Sequence, residues 1–190
     1  MRLWHALLLT VLLALGACSE DKSESSCPRL FGDGRYCLQP TTGLTPFNAQ
    51  QKIDIRFRDR RDTLIAEVEV DQSGMHLVAL TPFGQTLLQA NFDNRVASAT
   101  KTPDERLNPT LLIALLQLSL WPAESVQKGL QLPLTLIDEP GRRLIADGEE
   151  TLLSIEYTGN MPPYRRLRLT IPAADLEIDI ETLPEIGNAS

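Results

Sequence analysis

Between residues 52 and 58 the chain alternates, with Ile53, Ile55 and Phe57 set against Lys52, Asp54, Arg56 and Arg58. Residues 63–70 repeat the pattern, Leu64, Ala66, Val68 and Val70 on one face and Thr63, Glu67 and Glu69 on the other. Strict alternation predicts strands of an antiparallel sheet with one buried and one wet face. Asp59 to Asp62 reads as a charged hairpin turn, and residues 39–50, holding Pro40, Gly43 and Pro46, as a loop. Gln72-Ser73-Gly74 turns the chain into MHLVALTPFGQTLLQANF, residues 75–92, two apolar-rich strands around Thr81-Pro82-Phe83-Gly84. Pro82 pre-sets φ for a turn and Gly84 takes a positive φ at no steric cost. Phe83 therefore stands at a hairpin tip, as a packed corner or as an exposed apolar finger. Asp93-Asn94 is the next turn signal, and residues 95–101 form a weaker strand.

The period then changes. Asn108-Pro109 reads as an N-cap followed by proline at the first helical position. Residues 110–120 hold Leu111, Leu112, Ile113, Leu115, Leu116, Leu118 and Leu120, with no charge between Arg106 and Glu124. A helix apolar almost all round is buried on every side or lies in lipid. This one, bracketed by Pro109 and Pro122, is too short to span a bilayer. It fits either as a plug in the concave face of a curved sheet or as the core helix of an α+β domain. Trp121-Pro122 breaks it, and residues 123–130 predict a second short helix ending at Gly129 or Leu130. Alternation returns over residues 134–138, 142–146, 150–157, 165–170 and 176–182. Pro140-Gly141, Asp147-Gly148, Gly159-Asn160 and Pro172-Ala173 punctuate these strands. The expectation is about ten strands in meander order, with one helical insertion after the sixth.

The first residues change the setting. Arg2 precedes a mostly apolar run over residues 3–15, too short for a spanning helix, and then Leu15-Gly16-Ala17-Cys18. This is the pattern of a signal peptide, residues 1–17, ending in a bacterial lipobox with Cys18 as the lipidated residue. The alternative is ordinary cleavage after Ala17. Several acyl chains on Cys18 give firm anchoring where one gives only marginal binding. Ser19, where a sorting rule of enteric bacteria places aspartate for inner-membrane retention, points to the periplasmic face of the outer membrane. SEDKSESS, residues 19–26, has little to bury, and residues 18–26 read as a flexible tether before a single domain over residues 27–190.

The net charge of −7 argues against a nucleic-acid partner held through phosphates. Aromatic residues, 5% of the chain, are too few for a base-stacking platform. Cys27 and Cys37 bracket Gly32-Asp33-Gly34, which in an oxidising periplasm suggests a disulfide. Two free thiols or an intermolecular bridge are the alternatives. No further cysteine or nearby histidine completes a metal site, and no cofactor is implied. After residue 17 the one histidine is His76, inside a predicted strand, and no serine sits in a nucleophile elbow. Asp175, Glu177, Asp179 and Glu181 share one wet strand face instead of converging on a substrate. A non-enzymatic protein is expected. Arg56, Arg58, Arg60 and Arg61, with Arg165, Arg166 and Arg168, are basic islands on an acidic chain. They read as a solvated face, or as contacts to anionic headgroups or an acidic partner.

The hairpin Leu80-Thr81-Pro82-Phe83-Gly84-Gln85-Thr86, followed by Leu87-Leu88, a weak strand, a hydrophobic helical insertion and closing strands, resembles the LolA/LolB fold over about residues 48–182. The LolB-type members are outer-membrane lipoproteins that receive lipoproteins from a LolA-type carrier. Where these have an N-terminal helix, this chain has the Cys27 and Cys37 segment and a proline-containing loop. With LLIALLQLSLWPA, residues 111–123, it is similar to the LolB-like lipoproteins associated with aryl-polyene biosynthesis. The resemblance implies an unclosed half-barrel, α+β but mainly β, with the helical insertion as plug or lid. It also implies a membrane or handover loop at Pro82, Phe83 and Gly84. The expected pocket sets Leu111, Leu112, Leu115 and Leu116 against Leu64, Val68, Leu77 and Leu88. An acyl or lipid-like ligand, or a lipoprotein cargo, would be bound or transferred there. The rival expectation is a lipid-tethered structural or adaptor protein with a filled core and no ligand.

Overall fold

The computed structural model describes residues 26–102 and 108–184. The expected signal peptide, the expected lipidation site Cys18 and all but the last residue of the expected tether lie outside the described residues. A short hairpin comes first, β1 (Arg29–Phe31) and β2 (Gly34–Arg35). Five strands follow: β3 (Phe47–Phe57), β4 (Arg60–Val70), β5 (Met75–Leu80), β6 (Thr86–Phe92) and β7 (Ala97–Lys101). Helices α1 (Pro109–Leu120) and α2 (Ala123–Gly129) come next. The chain closes with β8 (Leu134–Glu139), β9 (Arg142–Asp147), β10 (Glu150–Thr158), β11 (Arg166–Ile171) and β12 (Leu176–Thr182).

Ten strands form one antiparallel sheet in the order β7-β6-β5-β4-β3-β12-β11-β10-β9-β8. It consists of two five-stranded meanders joined where β12 pairs with β3, Ile178 opposite Ile55. The sheet is curved and stays open, so the protein is α+β, mainly β, with the helices as an insertion. That insertion follows the fifth strand of the large sheet, not the sixth. Two expected boundaries also move. Arg58 takes a left-handed φ of 54°, so the hairpin turns on Arg58-Asp59 and Arg60, Arg61 and Asp62 belong to β4. Strand β3 begins at Phe47, inside the expected loop. There Ala49 and Gln51 are buried while Asn48 and Gln50 face out.

The pleat separates the two faces. Val68, Leu77, Ala90, Leu153, Leu169 and Ile180 point inward and share one core cluster with Ile113, Leu118 and Trp121 of the insertion. Helix α1 lies against β6 and β7, and α2 against β8, so the helices sit toward the two free edges. Covering an edge leaves fewer open backbone groups for foreign strands. The outer face is a lattice of cross-strand charges. Arg56 pairs with Glu177 at 2.6 Å, Arg168 with Asp179 at 2.6 Å and Arg166 with Glu181 at 3.4 Å. Strand β12 thus supplies the carboxylates that answer much of both basic islands, as a solvated face requires.

Candidate apolar binding face and its helical cover

The sequence around α1 explains its start and its stop. The Asn108 side chain accepts a hydrogen bond from the Thr110 backbone N–H at 2.9 Å, satisfying an amide of the first turn. Pro109 follows at a position that needs no N–H. Trp121 is extended, with ψ 151°, and Pro122 ends the helix. Ile113, Ala114, Gln117, Leu118 and Leu120 are buried. Leu111, Leu112, Leu115 and Leu116 are half-buried along a second stripe. Among the expected sheet residues, Val68, Leu77 and Leu88 are buried and Leu64 is half-buried. Ile53, Leu176 and Ile178 on the central strands are half-buried as well. The inner face is therefore deepest beside the helices and only partly covered at its middle.

Polar groups fasten the helical cover to the sheet. Arg143, 2% exposed, projects from the inner face of β9. Its Nη1 donates to the carbonyls of Leu118 (2.7 Å) and Trp121 (2.9 Å), and its Nε donates to Asp138 Oδ1 (2.7 Å). These bonds meet carbonyls at the end of α1 that have no partner within the helix. On the other side, Gln117 Oε1 accepts from Tyr36 Oη (3.2 Å) and the Gln39 N–H (2.7 Å), while its Nε2 donates to the Gln39 carbonyl (2.9 Å).

Tyr36 lies within the loop closed by the Cys27–Cys37 disulfide, the pairing favoured from sequence, and Gln39 follows just after it. The Cys37 N–H reaches the Gly129 carbonyl at 2.8 Å, and the Gln131 N–H the Arg35 carbonyl at 3.0 Å. Gly129 has to be glycine, since a Cβ there would run into the Tyr36 ring and the Cys37 carbonyl. The sequence marked the disulfide; it gave no sign that the closed segment straps both helices.

Burial pushes the Tyr36 phenol well above its ordinary value, against a smaller lowering by Arg143. The folded state thus binds this proton more tightly than the unfolded chain, whose tyrosine titrates near pH 10. The resulting stabilisation is complete below about pH 10 and is lost as pH rises toward the folded-state value. A Tyr36→Phe variant should lose about 1 kcal/mol at pH 8 with its hydrogen bond to Gln117. Above pH 10 its stability should fall less steeply than that of the wild type, by about 1.4 kcal/mol per pH unit. Urea unfolding between pH 8 and 11 measures both, and parallel alkaline limbs would contradict the assignment.

The hairpin at Phe83 is separate from this interior. The Thr81 N–H donates to the Gln85 carbonyl at 2.8 Å, and the Gly84 N–H to the Thr81 carbonyl at 2.9 Å. Gly84 has φ +81°, as the turn requires. The closed turn leaves Phe83 97% exposed, so the packed corner is not what forms. His76 lies exposed on the outer face of β5, its Nδ1 2.7 Å from Asn91 Oδ1. An outer-face cleft of about 660 Å³ is lined by Arg142, Glu156, Arg168 and Asp179 among others.

Residues 48–184 match the model of DUF3261, a family of proteins of unknown function. The chain belongs to the DUF3261 family. No curated protein matches it. The DUF3261 span takes in nearly the whole ten-stranded sheet and both helices, with Phe83, Gln117, Trp121 and Arg143 inside it. The disulfide-closed loop with Tyr36, and Gln39 just after it, lie before that span.

Proposed function

We propose that this DUF3261 protein is a LolB-like lipoprotein, held at the periplasmic face of the outer membrane by acyl chains on Cys18, that binds or transfers a lipid-like ligand without catalysis. One observation carries the reading. The inner face stays apolar yet half-covered at its middle, with Ile53, Leu64, Leu176 and Ile178 on the sheet and Leu112, Leu115 and Leu116 on α1. Binding faces for apolar ligands are concave, apolar and sparing of polar groups. Phe83 supports the transfer step, since a fully exposed aromatic on a rigid turn gains free energy only by leaving water. A second reading, the lipid-tethered adaptor, is favoured by the continuous core cluster and by clefts of about 660 and 420 Å³ that open on the charged face.

Fluorescence of cis-parinaric acid separates the two. The carrier binds it and passes it to phospholipid vesicles. The adaptor leaves its fluorescence unchanged. Phe83→Glu should keep the wild-type stability and affinity while slowing delivery to vesicles roughly tenfold, the scale of losing one aromatic insertion. Undiminished delivery by that variant would remove Phe83 from the mechanism.

A further inference from the structure

Trp121 holds the one buried side-chain nitrogen or oxygen among the described residues that has no hydrogen-bond partner. The residue is 1% exposed, and its indole Nε1 meets no acceptor. Buried polar groups in folded proteins are satisfied in the large majority of cases, and an exception calls for an explanation. An indole N–H can only donate, so whatever completes it is an acceptor. That excludes an ammonium or another pure donor as the missing group. The surroundings narrow the choice. Trp121 belongs to the same apolar cluster as Leu118, Ile155 and Leu169, so an acceptor borne on an apolar chain suits these surroundings.

Trp121 occupies the break between α1 and α2, and Pro122 behind it caps α2 without a side-chain hydrogen bond. Its backbone carbonyl is held by Arg143 Nη1 at 2.9 Å, so a guanidinium fixes the backbone of the same residue. The half-buried stripe of Leu112, Leu115 and Leu116 runs along α1 toward this break. At 100° per residue those leucines lie across the helix from the buried face that Trp121 continues, so a chain lying against them meets the indole only once the break has opened.

We propose that the Trp121 indole N–H is the anchor for the carbonyl oxygen of an acyl ligand, a free carboxylate or an ester, whose hydrocarbon chain lies against α1 and the central strands. The proposal rests on the lipid-binding reading above and adds to it a ligand class and a specificity residue. Entry requires the α1–α2 break to swing away from the sheet and give up the Arg143 bonds to the Leu118 and Trp121 carbonyls, because the N–H is sealed in the closed form. The ligand oxygen then accepts from the Trp121 Nε1 N–H.

The test uses the purified protein and three fluorescent probes: cis-parinaric acid, its methyl ester, and the carbonyl-free N-phenyl-1-naphthylamine. Trp121→Phe keeps an aromatic ring in the core and removes the N–H. The expected result is a loss of roughly tenfold in affinity for the acid, the ester or both, with the carbonyl-free probe unaffected. Equal losses for all three, or no loss for any, would overturn the anchor. Should the variant fold poorly, the wild type answers by NMR. The indole N–H resonance that disappears in Trp121→Phe should move downfield on saturation with an acyl probe and stay in place with N-phenyl-1-naphthylamine. A resonance unmoved by bound acyl probe overturns the proposal. If the wild type binds none of the three, the carrier reading itself falls, and the anchor with it.

Discussion

An Arg143→Ala variant should unfold about 3 kcal/mol more easily than the wild type, with the loss concentrated in the attachment of α1 and α2. The size follows from what the guanidinium holds. Two backbone carbonyls at the end of α1 accept from it within the core, and Asp138 accepts from Nε. Hydrogen bonds to charged groups contribute about 1.5–3 kcal/mol each, and a buried acceptor left without a donor costs its desolvation. Breaking a buried ion pair from one side typically costs about 3–5 kcal/mol. The Asp138 side chain keeps 30% exposure and can rehydrate, which holds the total toward the lower figure. Arg143→Lys should recover only part, because an ammonium lacks the planar fork that reaches two carbonyls and a carboxylate together. Urea unfolding gives the magnitude. Hydrogen exchange gives the place: amides of α1 and α2 should exchange faster while those of β3 and β12 keep their protection. A loss below about 1 kcal/mol would mean that apolar packing alone holds the helices.

Arg143 also shows where reading the sequence stopped. In Arg142-Arg143 both residues look like a wet face, yet alternation sends Arg142 outward and Arg143 into the core. Its two backbone partners lie in the helical insertion, 22 and 25 residues away. The ion pair of Arg56 with Glu177 spans 121 residues, so both carboxylate rows and basic islands were visible but their mating was not. Local signals carried well: period-two strands, the Asn108-Pro109 start, and the turn at Gly84. The turn at Arg58 was missed because a left-handed arginine has no signature in residue type. The start of β3 was missed because Gln51, a polar side chain, occupies an inward position. Trp121 could be read as a helix breaker, whereas an unpartnered indole N–H exists only once the tertiary neighbours are known. The rotation of α1 was illegible for a different reason. Leucine on every side gives no apolar stripe from which to read a buried face.

That rotation yields the other large effect, a divergence between stability and binding along one helix. Leu118→Ala should cost about 3 kcal/mol or more, since a fully buried leucine leaves a cavity as well as a lost transfer free energy. Leu115→Arg, three residues earlier, should cost only about 1 kcal/mol. Its position is half-buried, so an arginine stem can lie along the apolar surface and carry its charge to water. The order should reverse for acyl-probe binding. A cation beside the half-covered inner face disfavours an apolar chain there, and Leu115→Arg should weaken cis-parinaric acid at least roughly tenfold. Leu118→Ala, if it still folds, should bind nearly as the wild type, because Leu118 faces the sheet beneath the proposed ligand. Urea unfolding and probe titration on the same two variants decide it. If Leu115→Arg costs as much stability as Leu118→Ala, the helix presents both residues to the core and the half-open stripe does not exist. If Leu115→Arg folds normally and binds the probe undiminished, the ligand lies elsewhere.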